Sequence, residues 1–206
     1  MKASLPSRGI YVITDGRAPR LLERVAEALS GDAAMIQYRD LTRDDARRAD
    51  EARALATLCQ GRGVPLVIDH DVALAAAVGA DGVHLSQADG SPARVRAALG
   101  PAAIVGVSCY ASAELASAAA AAGASYVSFG AFYPSPTKPG AGRAPIGLLH
   151  ETRHLGIPRV AIGGISLDNG ALLVAAGAEF LATVSAVFGT DDPRAATAQL
   201  AALFQA

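Results

Sequence analysis

The sequence predicts a single (β/α)8 barrel, a TIM barrel, as one domain over residues 1–206. Three observations predict it. Short apolar runs alternate with longer helix-patterned segments eight times without an intervening linker, the order of a parallel sheet built from βα units. Glycine closes several of the helical segments, at Gly79, Gly100, Gly123, Gly156 and Gly177, where a left-handed residue ends a helix. Apolar residues make up 51% of the chain but aromatics only 5%, and tryptophan is absent. The core is therefore built from Ala, Val, Leu and Ile, which suits helices packed closely on a parallel sheet. A doubly wound open sheet is the structural rival. It normally uses fewer strands and a glycine-rich first turn, and Asp15-Gly-Arg is not a dinucleotide fingerprint.

Taken in order, Gly9–Asp15 reads as a strand and Arg20–Leu29 as an amphipathic helix. Ala34–Asp40 is the second strand, with a helix beginning near Arg43. Pro65–His70 leads into a helix over Val72–Val78, and Gly82–Ser86 into one over Pro92–Leu99. Ala103–Cys109 precedes the alanine-rich Ser112–Ala122, and Tyr126–Tyr133 precedes Ile146–Leu155. Arg159–Ile165 precedes Leu167–Ala176, and Phe180–Val187 precedes Pro193–Phe204. The phrases Gly79-Ala80, Gly123-Ala124 and Gly177-Ala178 each stand before a strand, as a repeated αβ turn.

In such a barrel the site lies at the carboxyl ends of the strands, so polar residues ending otherwise apolar runs are the candidates. These are Gln37, Arg39 and Asp40; Asp69 and His70; Ser86, Gln87 and Asp89; Ser108; Ser135, Thr137 and Lys138; Gly163 and Gly164; Thr183 and Ser185. Side chains alternate along a strand, so Gln37 and Arg39 share one face, predicted to be the barrel interior, and Ile36 and Tyr38 the other. The stretch Tyr126–Gly140 ends in a turn braced by Pro134, Pro136 and Pro139. There two hydroxyls and an ammonium suit a phosphate. A second phosphate home is the Gly163-Gly164 turn with Val184-Ser185, where bare amides approach an anion. Asp89 and the Asp69–Asp71 neighbourhood offer oxygen to a hard cation that bridges a diphosphate.

Other classes are excluded or disfavoured. The formal net charge is -1, and Arg43, Arg47, Arg48 and Arg53 are interleaved with Asp44, Asp45, Asp50 and Glu51. That pattern reads as a solvated helix face and not a nucleic-acid surface. No apolar run is long enough to span a bilayer, and the N-terminus has no apolar signal-type core. Cys59 and Cys109 have no metal-like spacing and fit a reducing compartment, so a cytoplasmic location is expected.

The segments Gln37-Tyr-Arg-Asp40, Ala80-Asp-Gly-Val-His-Leu-Ser-Gln-Ala-Asp89, Gly106-Val-Ser108, Tyr126–Lys138 and Ala161-Ile-Gly-Gly-Ile165 resemble, in this order, thiamine-phosphate synthase. The resemblance runs over nearly the whole chain. It implies a (β/α)8 barrel that joins hydroxymethylpyrimidine diphosphate to hydroxyethylthiazole phosphate, giving thiamine phosphate and pyrophosphate. It implies small-molecule substrates, a magnesium ion and self-association. Carried over by motif, Gln37, Arg39, Ser108 and Lys138 would hold the pyrimidine diphosphate, and Tyr38, Asp40, Leu41 and Asp69 would be further substrate-binding residues. Ser135, Pro136, Thr137, Gly164, Val184 and Ser185 lie round the thiazole phosphate. Arg39, Ser108 and Lys138 act on the leaving diphosphate, and Asp89 with the His70 position holds magnesium.

The chain departs from the family pattern at three places. Leu41 stands where a lysine is usual, Asp69-His70 where Asn-Asp is usual, and Ser86 where a glycine is usual. The first removes a cation from the diphosphate pocket; the second puts an imidazole where a hard cation prefers a carboxylate. Two alternatives therefore stand beside the synthase: the related thiazole tautomerase, and a non-catalytic binder of thiazole phosphate.

Overall fold

The computed structural model describes residues 3–16, 19–42, 44–135 and 142–205. Eight parallel strands close into a barrel in simple sequential order, β1 to β8, with β8 pairing back on β1. They are β1 (Gly9–Ile13), β2 (Ala33–Tyr38), β3 (Leu66–Asp69), β4 (Gly82–Leu85), β5 (Ile104–Ser108), β6 (Tyr126–Phe129), β7 (Arg159–Ile162) and β8 (Phe180–Thr183). The helices are α1 (Leu21–Ser30), α2 (Asp45–Arg62), α3 (Val72–Val78), α4 (Pro92–Leu99), α5 (Ala113–Ala121), α6 (Gly147–Glu151), α7 (Leu167–Ala175), α8 (Ser185–Phe188) and α9 (Pro193–Ala202). The predicted barrel is thus the observed one.

Alternation along the strands makes two separate cores. Tyr11, Ile13, Met35, Val67, Ile104, Tyr126, Val160, Phe180 and Ala182 point inward and fill the barrel. Ile10, Val12, Ile36, Ile68, Val83, Val105, Val127 and Leu181 point outward into the layer shared with the helices. Gln37 follows Met35 on the inward face and is 2% exposed, as the alternation predicts.

Three of the differences in element boundaries from the sequence reading have an identifiable cause. β8 stops at Thr183 and the chain turns at once into the short α8, so Phe180–Val187 is not one strand. A run such as Val-Ser-Ala-Val has no periodicity that separates strand from helical turn. β6 stops at Phe129 because Gly130 leaves the sheet against β7, where a Cβ would lie 2.5 Å from the Ile162 carbonyl oxygen. The sixth helix is only α6 followed by a 3₁₀ turn, Thr152–Leu155. The Arg159 guanidinium takes the Leu149 carbonyl that would otherwise bond the next helical turn.

Candidate active site

The carboxyl end of the barrel carries one open cavity of about 500 Å³. Leu41 and Thr42 from the β2 end, Asp69, His70 and Asp71 from the β3 end, and Asp89 from the β4 end line it, with Arg48 and Arg94 from α2 and α4. Arg39, the next inward residue after Gln37, reaches this group through Asp69: its Nε lies 3.5 Å from Asp69 Oδ2, and Nη1 lies 3.4 Å from Asp15 Oδ1. Thr14 locks the Arg39 backbone from both sides, accepting its N–H at 2.9 Å and donating to its carbonyl at 3.1 Å. The guanidinium is therefore oriented before any ligand arrives.

His70 sits in a left-handed conformation, φ 62°, in the turn after β3. Its Nδ1 lies 2.5 Å from Asp89 Oδ2 and its Nε2 lies 3.4 Å from Asp69 Oδ1, so the imidazole bridges two carboxylates from neighbouring strands. Asp89 Oδ2 also accepts the Ser86 N–H at 2.6 Å and the Ser86 hydroxyl at 2.7 Å. Burial pushes the Asp89 carboxyl up, but the bonds from Ser86 and His70 outweigh it and hold it below the usual carboxylate range. The departure at Ser86 thus adds a hydroxyl to the carboxylate. Asp89 does not cap α4, since the residue in that place is Ser91.

Among the described residues no three His, Cys, Asp or Glu side chains form a ready metal cage. Magnesium does not require one; it is commonly held by one or two carboxylates together with substrate phosphates. The donor set fits that arrangement. Of the four cavity aspartates, Asp40 is paired with Arg47 and Asp71 with Arg48, at 3.0 Å in the second case. Asp69 and Asp89 are the other two carboxylates lining the cavity, with the His70 imidazole between them.

Other predicted residues are placed differently from one another. Tyr38 points outward and donates to Glu51 on α2 at 2.7 Å, so its side chain is turned away from the interior. Asp40 accepts the Thr42 N–H at 2.7 Å and the Arg47 guanidinium, which commits its carboxylate to shaping the β2–α2 turn. Both residues keep only main-chain atoms to offer a ligand. Leu41 is 69% exposed on the cavity rim. Ser108 ends β5, and its carbonyl accepts the Gln87 amide at 2.7 Å. The reading of the arginine group on α2 as solvated needs correction at two positions. Arg47 and Arg48 are folded in against Asp40, Glu51 and Asp71, and Arg48 lines the cavity.

At the far side of the rim, Gly163 and Gly164 have φ of 101° and 62°. A Cβ on Gly164 would lie 2.3 Å from the Pro134 carbonyl oxygen, so this turn and the loop after β6 are packed backbone on backbone. Asn169 secures the turn by donating to the Gly164 carbonyl at 3.0 Å. Val184 precedes the first turn of α8 and Ser185 begins it, directly after β8, the strand neighbouring β7. Ser135 is described; Pro136, Thr137, Lys138 and Arg43 lie outside the described residues.

Comparison with known proteins agrees with this geometry. The thiamine monophosphate synthase family profile matches residues 10–187. The thiamine-phosphate synthase of Azoarcus sp. (strain BH72) is 52% identical over 200 residues, covering 96% of this chain and 97% of that protein. That of Thiobacillus denitrificans (strain ATCC 25259 / T1) is 51% identical over 201 residues, covering 96% and 95%. Among solved structures, thiamine phosphate pyrophosphorylase from Pyrococcus furiosus superposes with a TM-score of 0.87 at 33% identity, over 97% of this chain and 96% of that one. A 3-hexulose-6-phosphate synthase, at 18% identity and a TM-score of 0.68, shares the fold alone. The chain belongs to the thiamine monophosphate synthase family.

Proposed function

We propose that this chain is a transferase of thiamine biosynthesis, joining hydroxymethylpyrimidine diphosphate to hydroxyethylthiazole phosphate, or its carboxylated form, with release of pyrophosphate. The observation that carries the reading is the gathering round one cavity of Leu41, Asp69, His70 and Asp89 from three strand ends, with Arg39 bound to Asp69. The tautomerase alternative is not favoured, because relatives about half identical over nearly the full chain are named synthases.

The chemistry suits a site of cations, hydroxyls and glycines. The C–O bond to the diphosphate breaks with its electron pair leaving on oxygen. The thiazole nitrogen then supplies its lone pair to the pyrimidine methylene cation. The protein therefore has to stabilise a departing polyanion and hold the thiazole in line. Arg39 does the first, held in aim by Asp15, Asp69 and the Thr14 brackets. Ser108 and Lys138 contribute a hydroxyl and a second charge. Gly164, Val184, Ser185, Ser135, Pro136 and Thr137 receive the thiazole phosphate. Asp69 and Asp89 would hold a magnesium ion, which would supply further charge neutralisation to the diphosphate. Both substrates are small molecules, and the reaction belongs in the cytoplasm. No helix among the described residues is long and apolar enough to cross a membrane.

The test is to incubate the purified protein with both substrates and magnesium and to measure thiamine phosphate and pyrophosphate in equal amounts. Binding of the thiazole phosphate without product would identify a binder instead. The variant combining Leu41→Lys with His70→Asp restores the usual charge pattern and is expected to raise kcat/KM about tenfold, roughly 1.4 kcal/mol of transition-state stabilisation. No change would mean that Arg48 and the His70 bridge already serve those purposes.

A further inference from the structure

The amino-terminal end of the barrel carries a second cavity, of about 480 Å³, at the opposite end from the strand termini that the reaction uses. Arg8 stands before β1, Arg159 opens β7 and Glu179 stands before β8, so three neighbouring strands meet there. Arg153, from the 3₁₀ turn after α6, joins them. Ile157, Val174 and Phe204 supply apolar wall, and Phe204 is only 6% exposed. The volume falls in the range of small-molecule pockets, roughly 300–1,000 Å³.

Charge does not balance in this cavity. Three guanidiniums line it, and among the described residues Glu179 is the one acidic side chain that does. Its carboxylate is already committed. Oε2 accepts the Arg159 main-chain N–H at 2.7 Å and the Arg159 Nε–H at 3.1 Å, and Oε1 accepts from Arg159 Nη2. Arg8 and Arg153 are exposed and have no carboxylate partner among the described residues. Arg159 is 4% exposed, and its Nη1 donates to the Leu149 carbonyl. Nε, Nη1 and Nη2 thus spend one N–H each, which leaves one on each Nη of a guanidinium that the fold already holds in place. Gly177 also lines the cavity, and a Cβ there would lie 3.4 Å from Nη1 and 3.5 Å from Nη2. A side chain at that position would cover the two atoms that still have a hydrogen to give.

Arginines near a helix end can serve only to offset its dipole, and α7 does end at this cavity. That need is met by the main chain. The Leu172, Val174 and Leu173 carbonyls accept the N–H groups of Ala176, Gly177 and Ala178 at 3.0, 2.9 and 2.9 Å.

We propose that this cavity binds a small organic phosphate, a monoester whose single apolar group is about the size of one ring. Such a phosphate carries about two charges at neutral pH, which the two unpaired guanidiniums balance. Its three terminal oxygens match the forks of Arg8 and Arg153 together with the unspent N–H groups of Arg159. A carboxylate, with one charge and two oxygens, leaves donors over. Ile157, Val174 and Phe204 take the ester group. The site is separate from the carboxyl-end chemistry and does not rest on the synthase reading.

Phenyl phosphate is the probe. Titrated into 15N-labelled protein, it should shift the Gly156 and Gly177 amide signals along a saturating curve with a Kd of about 1 mM or tighter. The His70 and Asp89 amides report binding at the other end of the barrel in the same spectra. Inorganic phosphate lacks the ring and benzoate lacks the dianion, so each should bind about tenfold more weakly at Gly156 and Gly177. The variant combining Arg8→Ala with Arg153→Ala should lose about tenfold in affinity there, with the thermal unfolding midpoint and the His70 and Asp89 responses unchanged. Shifts confined to the His70 and Asp89 end, or no saturation at Gly156 and Gly177 below about 20 mM, would overturn the proposal. So would an unchanged affinity in the double variant, or benzoate or inorganic phosphate binding as tightly as phenyl phosphate. A double variant that unfolds at a lower temperature yet binds the probe as well as the wild type would mark the two arginines as structural and sink it equally.

Discussion

Arg39→Ala is expected to lower kcat/KM for thiamine phosphate formation about a thousandfold, roughly 4 kcal/mol of lost transition-state stabilisation. The guanidinium is the inward cation at the end of β2 and is aimed by Asp69, Asp15 and Thr14. Removing it leaves the departing diphosphate short of a fixed positive charge when negative charge is building on it. Arg39→Lys keeps the charge but loses the planar fork that Asp69 and Asp15 orient, so about tenfold of the loss should be recovered, not all. Steady-state kinetics at saturating thiazole phosphate, with thermal unfolding as the control, separates this from a folding defect. Activity within threefold of wild type in Arg39→Ala would remove the guanidinium from the reaction.

Glu179→Ala should instead cost stability, about 3–5 kcal/mol, and leave catalysis alone. At the amino-terminal end of the barrel, Arg159 is 4% exposed and donates to the Glu179 carboxylate and to the Leu149 carbonyl. The same carboxylate accepts the Arg159 N–H at 2.7 Å, tying the start of β7 to the turn before β8. Truncating Glu179 strands a buried guanidinium, and for a domain of this size the midpoint of thermal unfolding should drop roughly 10 °C. kcat/KM at 25 °C should stay within about twofold, because in this fold the chemistry is at the opposite end. A large kinetic effect without a change in Tm would contradict that division.

The barrel was legible because alternation and glycine-closed helices repeat eight times, so local errors did not propagate. The misplaced end of β6 and the broken sixth helix come from long-range contacts, namely Ile162 against Gly130 and Arg159 on Leu149, which no local pattern announces, and the misplaced end of β8 from a run whose periodicity does not separate strand from helical turn. Of the residues that strand-end logic singled out, Asp69, His70 and Asp89 line one cavity and Arg39 is paired with Asp69. That logic missed Arg48, because a charge-alternating helix reads as solvated until Asp71, in the turn between β3 and α3, is seen beside it. It missed the hydrogen bond between the Tyr11 and Tyr126 hydroxyls inside the barrel, because both residues stand in apolar runs and look like packing alone. The available clue was their inward parity together with Gly106, a missing side chain at the level of an aromatic ring.

Closure of the sheet has one further consequence. β8 pairs with β1 along Gly9–Val12, so among the described residues every strand has a neighbour on both sides and the barrel offers no edge row of backbone amides and carbonyls to another molecule. The closed sheet of a natively folded copy gives no edge template for growing a fibre strand by strand. Any such growth has to begin by prising β1 from β8.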